Sequence, residues 1–90
     1  MSVIKVASHS RTAAVAGAIA GVMREADRAE VQAIGAAAVN QAVKAMVIAK
    51  SYLAEEGIDI SFSPSFVEVM IHEQARTAIK FLVEPRNSRE

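Results

Sequence analysis

VQAIGAAAVNQAVKAMVIAK, residues 31–50, joins two kinds of hydrophobic pattern at one glycine. Val31 to Ile34 is a short apolar run of strand length. Beyond Gly35, the residues Val39, Ala42, Val43, Met46, Ala49 and Leu53 recur at spacings of three and four, the stripe of one helix face. Gly35 has no side chain, so strand and helix backbones can sit close at the turn. Ala45, Val47 and Ile48 lie off the stripe. The helix is therefore apolar on a second side as well, and needs two partners: its own sheet and something else.

Upstream, Val3–Ala7 (VIKVA) is rich in branched residues and reads as a first strand, with Ile4 and Val6 on one face. The polar loop SHSRT follows, and Ser8 or Ser10 is a candidate cap for the next helix. That helix spans Thr12–Ala26, with Val15, Ile19, Val22 and Ala26 as its core stripe. Ala13, Gly17 and Gly21 form a ridge of small residues. Two glycines inside a helix cost about 1 kcal/mol each relative to alanine, and close approach of a neighbouring element is the expected compensation. ADRA is a turn, and Glu30–Ile34 is the second strand. Strand, helix and strand make a βαβ unit, so the two strands run parallel through a right-handed crossover.

Downstream, the organising helix ends near Glu55-Glu56-Gly57, with Gly57 as its C-terminal cap. Ile58, Ile60 and Phe62 alternate with Asp59, Ser61 and Ser63, a strand with one wet face. Pro64 interrupts this pattern, which suits an edge strand or a bulge. Phe66–His72 resumes it, Glu73-Gln74-Ala75 is a short connection, and Arg76–Glu84 alternates again. Together they read as a long hairpin ended by Pro85. Residues 1–86 form a single domain, and 87–90 a polar tail. The element order is βαβαββ, a two-layer α/β (α+β) chain. Periodicity does not fix the spatial order of the last two strands.

Composition narrows the class. Ninety residues support one small core. The chain is 52% hydrophobic but only 4% aromatic, so eighteen Ala, eleven Val and eight Ile must build that core. Ala-rich helices bury little area each, and a subunit interface would add burial; a homodimer or tetramer is expected, with the Ala36–Leu53 helix or the hairpin in contact. No cysteine is present, which removes disulfides and thiolate zinc sites. The apolar stretch 13–23 is too short for a membrane span of about 20 residues and does not have the layout of a secretory signal. The expectation is a soluble, cytoplasmic protein without membrane contact. The formal charge is zero: Met1–Leu53 carries six basic and three acidic side chains, and Ala54–Glu90 four and seven. A basic surface for phosphate can exist only as a local patch.

Three blocks, AVAGAIAGVMRE, IGAAAVNQAVKAMVIAK and RTAIKFLVEPR, stand in the order found in the stage V sporulation protein S family, which the chain resembles from Val3 to Arg86. The entry into the second helix, an apolar strand followed by GAAAVNQAVKA, also resembles the Alba superfamily of small nucleic-acid-binding proteins. The resemblance implies a mixed four-stranded sheet in the order 1-2-4-3 with two helices on one face. It also implies contact with DNA or RNA through the loop after strand one and the hairpin arms. At those places this chain offers Arg11, Arg76 and Lys80. The paired lysines typical of the Alba loop are missing from SHSRT, and Glu68, Glu73 and Glu84 accompany the hairpin cations, so phosphate contacts are sparse and salt-sensitive.

Other chemistry has little support. His72 and Glu73 are adjacent near the hairpin tip, but a protein metal site needs three or four convergent ligands, so no metal and no cofactor are expected. His9 lies between Ser8 and Ser10 with no third group to orient it. There is no glycine-rich phosphate loop, and the start of the Ala36 helix is only a generic anion site. Asn40 and Gln41 are placed to satisfy an interface or to cap a loop. The expected function is that of a non-enzymatic nucleic-acid-binding or regulatory protein resembling the sporulation family. The alternative is an oligomeric protein-interaction module in sporulation or cell development.

Overall fold

The computed structural model describes residues 2–86 as β1 (Val3–Val6), α1 (Thr12–Glu25), β2 (Ala29–Ala33), α2 (Ala36–Ala54), β3 (Ile60–Ile71) and β4 (Gln74–Pro85). The tail at 87–90 lies outside the described residues. The strands pair in the order β1-β2-β4-β3. β1 runs parallel to β2, with Val3 opposite Glu30 and Val6 opposite Ala33. β4 is antiparallel to both β2 and β3. This is the mixed sheet and strand order that the resemblance implied.

Alternation along the strands sends Ile4, Val6, Val31, Phe81, Val83 and Ile60 toward the helices, where they join one core with Ile19, Met46 and Leu53. Ile19, Val31, Leu53, Ile60 and Val83 are its largest fully buried side chains. Alanines fill the space between: Ala16 and Ala20 of α1, and Ala38, Ala42, Ala45 and Ala49 of α2, are all buried. The absence of bulk at these positions lets two helices and a sheet share a thin core.

The burial stripes are rotated from those that spacing alone suggested. In α1 the buried set is Ala16, Ile19, Ala20 and Met23; Val15 and Val22 are half-buried, and Ala26 lies exposed beyond the helix. In α2 Ala45 is buried, whereas Val43 is 41% and Val47 60% exposed. The reason is geometric. Where helix meets helix a small side chain is required, so alanine takes the inner position and the adjacent valine turns outward.

The glycines also differ from expectation. Gly17 is exposed, and a Cβ built at Gly17 or Gly21 meets nothing within 4 Å, so no element of this chain exploits the ridge. At Gly35 too nothing crowds a Cβ; there the requirement is the backbone angle, φ +91°. Gly57 does close α2 as expected. It sits at φ +78°, its N–H donates to the Ala54 carbonyl and that of Ile58 to Leu53, 3.0 Å each, the paired bonds of a Schellman cap. No serine caps α1. Arg11 occupies the cap position without a side-chain bond, and Ser10 Oγ instead accepts from the N–H of Ala7 at 2.9 Å.

Pro64 lies on the edge strand β3, opposite Phe81, and does not break the twelve-residue register. The connection at the tip is tighter than expected, a two-residue turn at His72 (φ 51°) and Glu73 (φ 65°). Both φ values are positive, as a type I′ hairpin turn requires.

Two glycine substitutions separate these roles. Gly17→Ala should raise the stability of the folded chain by about 0.4–1 kcal/mol in chemical denaturation, since the site is helical and open. Gly57→Ala should lower it by about 1–2 kcal/mol, because an L side chain is disfavoured in the left-handed region. A loss of stability at Gly17 would contradict the open helical setting of that residue.

Candidate nucleic-acid interface

The parallel pairing of β1 and β2 gives the molecule two unlike ends. At the end where both strands finish lie the Ser8–Arg11 loop, the starts of α1 and α2, and the departure of the β3–β4 arm beyond Ile79, the last residue of β4 opposite β2. The opposite end holds the finishes of both helices, the starts of β2 and β3, and the end of β4.

Charge is divided between these ends. Glu25, Asp27, Glu30, Glu55, Glu56, Asp59 and Glu84 all lie at the helix-finish end. The cations there are engaged. Arg24 Nε donates to both Glu56 oxygens at 3.0 and 2.9 Å. Arg28 lies 3.3 Å from Glu84. Lys50 donates to Asp59 at 2.7 Å, with Arg86 3.9 Å from the same carboxylate. The hydrogen bond from Arg24 holds the Glu56 carboxyl below its ordinary 4.5. That from Lys50, helped by the charges of Lys50 and Arg86, holds Asp59 below its ordinary 3.8.

At the loop-and-arm end, Lys5, Arg11, Arg76 and Lys80 make no ion pair with any described carboxylate. Lys5, Gln32, Lys80 and Ser65 form one row across the four strands, on the face away from the helices. Arg76 shares that face of β4 by alternation, opposite Val69 on β3. The fold thus gathers Arg76, Lys80 and Lys5 on one face. Arg11 comes from the neighbouring loop, which Gln41 ties down by donating from Nε2 to the Ser10 carbonyl at 2.8 Å. Gln41 therefore caps a loop, one of the two roles its sequence position suggested. Glu68 and Glu73 are the acidic residues of the arm, Glu68 on the helix-side face and Glu73 in the tip turn. His72 is the other residue of that turn, and among the described residues no three His, Cys, Asp or Glu side chains converge as a metal site would require.

Beside Lys5 opens a cleft of about 530 Å³. Its floor is the strand ends Lys5–Ala7 and Gln32–Ile34, one wall is Gly35–Ala38, and the other is Val69–Ile71 of the arm. Residue spacing did not reveal it. The available signal was that the arm is apolar on both faces. Val67, Val69 and Ile71 are half-buried on one face of the arm, while Phe66 (77%) and Met70 (67%) stand exposed on the other.

A family model for stage V sporulation protein S (SpoVS) matches residues 2–86. The chain belongs to the SpoVS family. The match spans every element described above, so the cation end, the cleft and the arm all fall within the SpoVS domain. No helix among the described residues of this SpoVS-family chain is long and apolar enough to cross a membrane.

The carboxylate end carries a pH signature. A depressed folded-state value means that the stabilisation from Asp59 is complete above its unfolded value and disappears as pH falls through the lower folded one. The difference in melting temperature between the native chain and Asp59→Asn should therefore be greatest near neutral pH and close as pH drops below 3.8. The exposed setting keeps it small. A gap that widens in acid would contradict the ion pairing.

Proposed function

We propose that the chain is a small, non-enzymatic nucleic-acid-binding regulator that acts in the cytoplasm, in a role related to that of stage V sporulation protein S. The observation that carries this reading is the division of charge in a molecule of zero net charge. Lys5, Arg11, Arg76 and Lys80, without described carboxylate partners, share one end with Glu68 and Glu73 of the arm, whereas seven carboxylates lie at the other. Such a dipolar molecule is attracted to a polyanion by one end only. Arg11, Arg76 and Lys80, with Lys5, are the contacts. DNA and RNA both satisfy this chemistry.

Few cations per chain mean weak binding, and a second copy would double the phosphate contacts. The outer side of α2, with Val43 and Val47, and the arm's Phe66 and Met70 supply exposed apolar surface for such a dimer. The same patches favour the second reading, a protein-interaction module.

Arg11→Glu, Arg76→Glu and Lys80→Glu should each weaken binding of labelled nucleic acid in a low-salt gel shift. The triple variant should lose most of it, and Arg28→Gln at the other end should change nothing. On duplex DNA each lost contact should reduce the salt dependence by about 0.9 log unit per tenfold salt. Unchanged affinity in the triple variant, or binding insensitive to salt, would transfer the function to the second reading. Sedimentation should give a species larger than 9.6 kDa at micromolar concentration, and Val47→Asp should dissociate a dimer that uses α2. A native chain that sediments only as a monomer would remove the dimer.

A further inference from the structure

We infer that the cleft beside the cation row takes one unpaired nucleotide, so that the interface is selective for single-stranded nucleic acid over duplex. The inference rests on the nucleic-acid reading above and specifies the form of the ligand.

The cleft has the size of a small-molecule site; such sites run from about 300 to 1,000 Å³. Its lining combines two kinds of surface. Val69 and Ile71 from the arm, with Ala37 from α2, present aliphatic walls against which a planar base can lie. Lys5 is the one charged side chain in the lining, and no carboxylate is among the lining residues. Gly35 provides no side-chain cap to α2 and the first turn of α2 has no acid, so the N–H groups of Ala36–Ala38 have no partner within the helix. Lys80 stands next to Gln32 in the sheet, and Arg76 opposite Val69. An apolar slot edged by positive charge matches a nucleotide: base in the slot, phosphate toward the rim.

The walls are aliphatic, and the polar side chains of the lining are few: Lys5, Ser8 and Gln32, whose amide already donates to Glu30 at 2.7 Å. Occupancy therefore depends little on base identity. It depends strongly on strandedness. In a duplex both faces of each base are covered by neighbours and its edge is paired, so filling the slot requires extrusion of the base. A single strand offers bases already available. The apolar term also offsets the small number of phosphate contacts.

The test compares a labelled oligothymidylate of about sixteen nucleotides with the duplex it forms with its oligoadenylate complement. The native chain should bind the single strand about tenfold or more tighter than the duplex. Ala37→Leu fills the slot without changing charge, at an exposed helical position. It should bring single-strand affinity down to the duplex level and leave duplex affinity unchanged. A thermal melt verifies its fold, and Ala36→Leu, equally exposed on the same wall, replaces it if it unfolds. Equal affinity for both forms, or no selective loss in the filled variants, overturns the slot and leaves the nucleic-acid reading standing. Failure of both ligands to bind overturns both.

Discussion

The parallel pairing of Val3–Val6 with Glu30–Ala33 is the constraint on which the rest of the molecule depends. Two parallel neighbours cannot be joined by a tight turn, so the chain must return across the sheet, and it does so as α1. That return places the loop after β1, the turn at Gly35 and the starts of both helices at one end. The antiparallel hairpin then leaves from the same end, because β4 meets β2 only from Ile79 onward. A single pairing therefore sets which residues of a 90-residue chain can act together.

The small-residue core is the energetic counterpart of this arrangement. Alanines at the helix–helix and helix–sheet contacts allow close approach but bury little area each. The larger side chains are consequently displaced outward, as Val43 and Val47 are on α2, or carried away from the helices on the arm, as Phe66 and Met70 are. The exposed apolar surface and the thin core have the same cause. The ridge of Ala13, Gly17 and Gly21 belongs to the same pattern, but it faces open space within this chain.

Charge provides the clearest contrast between chain order and spatial order. Division of the sequence at Leu53 gives a basic first part and an acidic second part. The fold draws a different line. Glu25, Asp27 and Glu30 come from the first part yet join Glu55, Glu56, Asp59 and Glu84 at the helix-finish end. Arg76 and Lys80 come from the second part yet join Lys5 and Arg11. Ion pairs at the first end engage the local cations, whereas Lys5, Arg11, Arg76 and Lys80 make no ion pair with any described carboxylate.

Much of this was legible without coordinates, because strand alternation and helix spacing are local properties. The element order, the break of pattern at Pro64 and the Gly57 cap all came from residues close in the chain, whereas Arg11, Arg76 and Lys80 were singled out by the family resemblance. The burial stripes were less legible. Ala45 replaces Val43 at the inner face because neighbouring helices select for small size, which hydrophobic spacing does not measure. The reason for Gly35 was hidden as well, since a positive φ and a close approach ask for the same residue. The sequence by itself determined which segments become strands and helices, and that any phosphate-binding surface would have to be local. Only the tertiary structure decided which cations share a face and that a cleft opens beside Lys5. Register and crossover bring residues 5, 32, 37, 69 and 80 together, and no local pattern records contacts across such separations in the chain.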